Sequence, residues 1–503
     1  MRGIHTIITD VRRNVFTEVA KMAYEGGDYA KRIEQLPFEI LPGEQATHRE
    51  SIFLERAIVG ERLRLAIGLP VRDASESAPV SDGIKESVIA EKYYTPPLIN
   101  IIKFACHACA EKKVEVTNLC QGCLAHPCTQ VCPKDAIHII NGKSVIDQEK
   151  CIKCGRCVDV CPYHAIIKQE RPCAAACGMN AITSDKYGRA HIDYDKCVSC
   201  GMCLVSCPFG AIADKGQIFQ LVHALKEGHR VYAAVAPAFV GQFGPKVTPG
   251  KLRHAMIELG FTDCVEVAVG ADLCAVEEAK DFVENVPENL PFMATSCCPA
   301  WSVMAKKLFP EYKECVSMAL TPMVLTGRLI KKRDPEAKVV FIGPCAAKKL
   351  EASRKSVRSD VDFVLTFEEM MGLFRAKNID IETIEEEKEV SEASTDGRNF
   401  AYAGGVADAV VHCIQKMYPE REIKVESAQG LQDCRKLMAL AKAGRYNGYL
   451  LEGMACPGGC VAGAGTLQPP QKSKVAVQKY AGEAVIETCL ETKYLDDLEL
   501  LEE

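Results

Sequence analysis

Sixteen of the chain's 27 cysteines fall between Cys106 and Cys207, and no ordinary core absorbs that density. Such a field is either a disulfide framework from an oxidising compartment or a set of metal-bound thiolates in a reducing one. The N-terminus, MRGIHTIITDVRRNVFTEV, alternates charge and hydrophobe and has no apolar signal core. No apolar run is long enough to span a membrane, so no transmembrane segment is expected. The pattern predicts thiolates held by metal in a cytoplasmic setting. At a net charge of −6 the chain lacks the basic footprint of a nucleic acid binder, and no such partner is expected.

Two stretches share one spacing. Cys151, Cys154, Cys157 and Cys161 precede Pro162, and Cys197, Cys200, Cys203 and Cys207 precede Pro208. C-x2-C-x2-C-x3-C-P is the bacterial ferredoxin run, in which three thiolates wrap one [4Fe–4S] cube and the fourth ligates its neighbour. A zinc knuckle needs no third and fourth thiolate at these spacings. Internal repetition extends the ligand set. HPCTQVCPKDAI, with Cys128 and Cys132, resembles RPCAAACGMNAI, with Cys173 and Cys177. GKSVIDQEKC and GRAHIDYDKC then lead into the two full runs. Two copies of one double-cluster unit follow. Crossed ligation puts Cys120, Cys123, Cys128 and Cys161 on one cube and Cys132, Cys151, Cys154 and Cys157 on a second. Cys177 joins Cys197, Cys200 and Cys203 on a third. Cys173 and Cys207 still need two thiolates, and Cys106 and Cys109 in FACHACA supply them, unless that pair is free or binds zinc. Several cubes in one segment read as an electron wire, whose terminus must lie downstream.

The expected fold class is α+β multidomain. Residues 1–103 form a helical N-terminal region, with helices over Asp10–Tyr24 and His48–Ile67, a stop at Gly68, Leu69 and Pro70, and a loop over Arg72–Asp82. It reads as an appendage without chemistry. Residues 104–220 are the ferredoxin-like region. Residues 221–470 alternate strand-like runs (VYAAVA, CVEVAVG, KVVFIG) with helical patterns (LRHAMIELG, PAWSVMAKKLF). Residues 471–503 end in the acidic LDDLELLEE, a solvated or docked terminal helix.

Three cysteine motifs punctuate the second half: TSCCPAW with Cys297 and Cys298, GPCAAKK with Cys345, and EGMACPGGCVAGAG with Cys456 and Cys460. Four thiolates from three places suit a cluster buried between lobes, and Gly458, Gly459, Gly463 and Gly465 allow close backbone approach around a bulky group. Lys348 and Lys349 could neutralise an anionic cofactor or begin a solvated helix. In order and content the motifs resemble the signatures of iron-only ([FeFe]) hydrogenases, and more closely the divergent branch called group B. The resemblance implies a two-lobed α/β catalytic domain with the H-cluster, a cube bridged by a cysteine to a two-iron centre with carbonyl, cyanide and dithiolate ligands. It implies that Cys298, Cys345 and Cys456 hold the cube, and that Cys460 holds it and bridges. Lys348 looks like the lysine that hydrogen-bonds a cyanide, Met454 like the methionine packed beside the two-iron centre, and Ala236 and Pro237 like the backbone segment near it. Cys297 resembles the non-ligating proton donor, and Glu278, Asp281 and Ser317 match the relay by position. Without the resemblance, Glu278 and Asp281 are two exposed carboxylates on one helix face.

Departures from the family pattern lie around the ligands. GAGTLQP replaces GGGQP, Gly343 stands for a methionine, Ala347 and Ala238 for serines, and Asn285 for an arginine. Such changes retune a metal site rather than remove it. The resemblance implies interconversion of H2 with protons and electrons, ferredoxin or a similar low-potential carrier as partner, and maturation proteins for the two-iron centre. The rivals are a hydrogenase-like electron-transfer or H2-sensing protein and a non-catalytic assembly protein of the same fold. No G-x-G-x-x-G follows a strand, so no nicotinamide or flavin module is expected.

Overall fold

Short apolar runs in the second half pair into two parallel sheets. In the computed structural model, which describes residues 3–385, 393–498 and 501, the strands are β1 (Val231–Val235), β2 (Asp263–Glu266), β3 (Met293–Ala294), β4 (Lys338–Gly343), β5 (Phe363–Thr366), β6 (Lys424–Gln429) and β7 (Tyr449–Met454). One sheet has the order β2-β1-β4-β5 and the other β3-β7-β6, and every pair is parallel. Burial on both faces explains why β4 and β5 read as continuous apolar runs. The run CVEVAVG is a strand only in its first part, since its last residues open the helix Ala268–Asn285. This half thus mixes helices with strands, as the α+β reading expects.

The N-terminal region is no appendage. Its helices Ile7–Glu25 and Ile52–Ala66 agree with the apolar spacing, and a further helix, Tyr29–Ile40, escapes it because Pro37 interrupts the pattern. Val15, Val19, Leu36 and Leu63 share one core with Val235, Phe363 and Leu373. Where Gly372 faces Phe16, an added Cβ would lie 2.6 Å from the Phe16 Cβ. At the other end, Leu498 and Leu501 are buried, so the tail docks through these leucines, and residues 499, 500, 502 and 503 lie outside the described residues.

The two ferredoxin-like units are nested rather than tandem. Lys113–Val116 pairs antiparallel with Ile166–Gln169 and closes the inner unit around the hairpin Ile137–Ile140/Lys143–Ile146. Ile99–Ile101 pairs antiparallel with Ile212–Asp214 and closes an outer unit around the hairpin Ile182–Ser184/Ala190–Ile192. The strand that leads to Cys106 and Cys109 therefore occupies in the outer unit the place that Lys113–Val116 holds before Cys120 and Cys123.

Candidate functional site

The nesting gathers the sixteen cysteines into four groups. Cys120, Cys123, Cys128 and Cys161 line one cavity, Cys132, Cys151, Cys154 and Cys157 a second, and Cys177, Cys197, Cys200 and Cys203 a third. Cys109 lies within electrostatic reach of Cys106 and Cys207, and Cys173 within reach of Cys207 and Cys106, which makes the fourth group. Left-handed backbone recurs at matching offsets: Lys153 and Ser199, Asp135 and Asn180, Ala108 and Gly122. These turns aim backbone N–H groups at sulfur. Ala136 donates to Cys132 Sγ at 3.2 Å and Ala181 to Cys177 Sγ at 3.3 Å. Ala165 and Ala211 donate to Cys161 and Cys207 Sγ, each at 3.4 Å. Such donors suit anionic sulfur. Burial pushes the Cys157 thiol up to about 11, Cys173 and Cys200 up to about 12, and Cys203 well above its usual range. A bare thiolate is thus costly in these cavities, and a cationic iron core is the partner that offsets the cost. Among the described residues no three His, Cys, Asp or Glu side chains converge tightly enough for a single metal ion.

The downstream motifs sit at the carboxyl ends of the parallel strands, where α/β folds place their ligands. β1 leads into Ala236 and Pro237, β3 into Cys297 and Cys298, β4 into Cys345, and β7, ending at Met454, into Cys456 and Cys460. Cys298 caps the helix Pro299–Leu308, and its sulfur lies near the N–H groups of Ala455, Trp301 and Ala300. Cys345 caps the helix Ala346–Glu351. Cys460 lies within electrostatic reach of Cys345 and Cys298. Burial pushes Cys345 up to about 11 and Cys460 up to about 12. Close packing fixes three glycines around these motifs. A Cβ on Gly453 would lie 2.1 Å from the ring of Trp301, whose Nε1 donates to Thr295 O at 2.9 Å, and one on Gly463 would lie 2.4 Å from Pro344 O. Gly343 faces Phe341 and Ala236, with 2.6 Å between its missing Cβ and the Phe341 ring. The ring thus holds the space that a longer side chain at residue 343 would need.

The two carboxylates are not an exposed pair. Glu278 is fully buried and accepts from Ser296 N at 2.9 Å, while Asp281 is half-buried one turn further on. Burial pushes Glu278 up to about 7 against the pull of bonds from Ser296 and Ser317. Burial and then the Glu278 charge hold Cys297 as a thiol, well above its usual range. Cys297, Glu278, Ser317 and Asp281 thus adjoin one another between the cysteine site and the helix surface. Nor are the lysines a solvated helix start, since Lys348 and Lys349 are both buried. Lys348 Nζ lies 2.7 Å from Glu351 Oε2 and donates to Thr321 Oγ1 at 3.1 Å. Thr321 Oγ1 in turn donates to Glu351 Oε1 at 2.9 Å. Burial pulls Lys348 down, and the Glu351 carboxylate more than restores it. The sequence reading missed Glu351 and Thr321. Glu351 was findable three residues beyond Lys348 on one helix face, whereas Thr321 is distant in sequence. Met454 is buried at the end of β7, and Ala236 donates its N–H to Ile342 O at 2.8 Å.

The chain is similar to known proteins. Residues 229–464 match the iron only hydrogenase large subunit, C-terminal domain, and residues 144–167 and 189–212 match 4Fe-4S binding domains. Iron hydrogenase 1 of Clostridium pasteurianum is 29% identical over 459 residues, covering 79% of this chain and 78% of that protein. The periplasmic [Fe] hydrogenase large subunit of Nitratidesulfovibrio vulgaris is 30% identical over 383 residues, covering 66% of this chain and 87% of that protein. Cytosolic iron-sulfur assembly component 3 of Rattus norvegicus is 26% identical over 276 residues, covering 44% of this chain and 58% of that protein. The chain belongs to the iron-only hydrogenase family. No described helix is long and apolar enough to cross a membrane.

Proposed function

We propose that the chain is a group B-type hydrogenase that reversibly oxidises H2 to protons and electrons, exchanging the electrons with ferredoxin or a similar low-potential carrier in an anaerobic cytoplasm. The observation that carries this reading is the convergence of Cys298, Cys345 and Cys460 with Cys297, Glu278 and Lys348 at the strand carboxyl ends. Cys298, Cys345, Cys456 and Cys460 would hold the H-cluster, which supplies the H–H bond chemistry when bound. Cys297 keeps its proton in this buried place and can pass it inward, and Glu278, near neutrality, can return it. Ser317 and Asp281 extend the relay toward the helix surface. Lys348, held by Glu351 and Thr321, offers a fixed cation to an anionic ligand. Met454, Ala236 and Pro237 would lie beside the two-iron centre. Four upstream cubes would carry electrons. Cys200 lies within electrostatic reach of Cys298, and Gly201 packs against Ala346 and Ala464. The third cysteine group therefore adjoins the catalytic one.

A sensing role with little turnover is the second reading, favoured by the substitutions around the ligands and by the relative named for iron–sulfur assembly. Infrared spectra and a hydrogen assay of protein matured with the two-iron centre separate the two. The hydrogenase reading expects carbonyl and cyanide bands with turnover. Cys460→Ala should lose the bands, and Cys297→Ala should keep them while turnover falls at least a hundredfold. Bands without turnover in the wild type favour the sensor, and absence of both defeats the proposal.

A further inference from the structure

Three arginines surround the fourth cysteine group, and among the described residues none pairs with a carboxylate. Arg62, on the helix Ile52–Ala66, is 5% exposed and donates to Gly210 O, three residues beyond Cys207. Arg49 donates to Phe209 O at 2.6 Å and to Ala105 O, beside Cys106, at 3.4 Å. Arg171, 4% exposed and two residues before Cys173, donates to Cys109 O at 2.9 Å, to Gly188 O at 2.6 Å and to Thr183 O at 3.0 Å. Among the described residues these guanidinium groups are satisfied by backbone carbonyls and one hydroxyl. Glu368, near Arg62, is committed to Arg12, and Glu111 reaches Arg171 only through Ser184. A buried cation without a counter-ion is costly. Arg62 lies within electrostatic reach of Cys207, and Arg171 within reach of Cys109 and Cys173. The other groups carry fewer guanidinium groups: Arg156 is exposed at the start of the helix Arg156–Asp159, and beside the third group the half-buried Arg435 donates to Gly178 O at 3.1 Å, with the exposed Lys307 at Cys197 O.

We infer that Arg49, Arg62 and Arg171 form a cationic cradle that gives the cube on Cys106, Cys109, Cys173 and Cys207 the highest reduction potential of the four upstream cubes, making it the store where an electron rests on the wire. The inference rests on the reading that these four cysteines hold a cube. With its four thiolates, a [4Fe–4S] cube goes from two negative charges to three when it takes one electron from a low-potential carrier, so nearby positive charge favours the reduced form. Two of the three arginines come from residues 1–103, and the cradle gives that region a chemical role.

EPR-monitored redox titration of the anaerobically reconstituted full chain tests this, with iron content measured on each sample. Cys106→Ser/Cys109→Ser identifies the fourth cube's signal by subtraction. That signal should have the highest midpoint in the wild type. Arg62→Met should weaken its reduction about tenfold, a fall of about 59 mV for one electron, while the other midpoints stay in place. Arg62→Lys, which keeps the charge, should recover most of the loss. Should Arg62→Met shed the cube, Arg49→Gln, at the more exposed edge, reads the same fall. A retained cube whose midpoint ignores Arg62→Met and Arg49→Gln overturns the cradle. Wild-type iron content with no cube for these cysteines overturns the ligand reading instead.

Discussion

A carboxyl group walled off from water, such as Glu278, ties catalysis to pH and stability together. Burial raises its pKa from the usual 4.5 to about 7, so the folded chain holds this proton more tightly than the unfolded chain does. Its contribution is complete below about 4.5 and is lost as pH rises through about 7, and the cost is on the order of 3 kcal/mol. Glu278→Gln removes that cost. Urea unfolding should show the variant gaining on the wild type as pH rises from about 4.5 to about 7, keeping that advantage above 7 and matching the wild type most closely near pH 4. Its turnover should nonetheless fall by two or more orders of magnitude, since an amide cannot relay a proton. An unchanged stability difference across that window would show that Glu278 does not titrate there.

Elements explain what was legible in the sequence and what was not. The strand runs of the catalytic half were readable because parallel strands buried on both faces leave continuous apolar runs, and in the N-terminal region Gly68, Leu69 and Pro70 stop a helix openly. The crossed cysteine sets follow from spacing and repetition, and three of the four line cavities of the structure. Nesting was not readable, because spacing does not report which strands pair across the 110 residues between Ile101 and Ile212. Nor was the burial of Glu278, since an i, i+3 carboxylate pair looks the same facing water or protein. The nested pairing makes the outer unit depend on Cys106 and Cys109. Replacing both with serine should remove one cube's worth of iron from the full chain and leave the catalytic cube's EPR signal. Unchanged iron would show that these thiols hold no cluster.

Across the whole molecule, one buried ion cluster joins the wire to the catalytic lobe. Lys349 is 1% exposed. It donates to Asp214 at 2.7 Å, beyond Cys207 on the outer closing strand, to Lys215 O at 3.0 Å, and to Glu369 at 2.9 Å. Glu369 in turn caps the helix Phe367–Ala376 through Thr366, and a Cβ on Gly465 would touch Thr366 at 2.4 Å. The helix after Cys345 and the strand after Cys207 therefore meet at one ammonium group, and the turn after Cys460 packs against Thr366, which donates to Glu369. Coulomb attraction in so dry a place is strong, but so is desolvation, and such a cluster adds little net stability over an apolar replacement. Removing only the cation differs, because two carboxylates then stay buried beside each other. Lys349→Met should cost about 3–5 kcal/mol in denaturant unfolding. It should also loosen the contact of Gly201 with Ala346 and Ala464, which weakens the spin coupling between the third cube and the catalytic cube in low-temperature EPR. Lys349→Met/Asp214→Leu should regain part of the stability, since one unpaired charge goes with its partner. A single variant as stable as the wild type, with its spin coupling intact, would mean that the lobes are held by the apolar core alone.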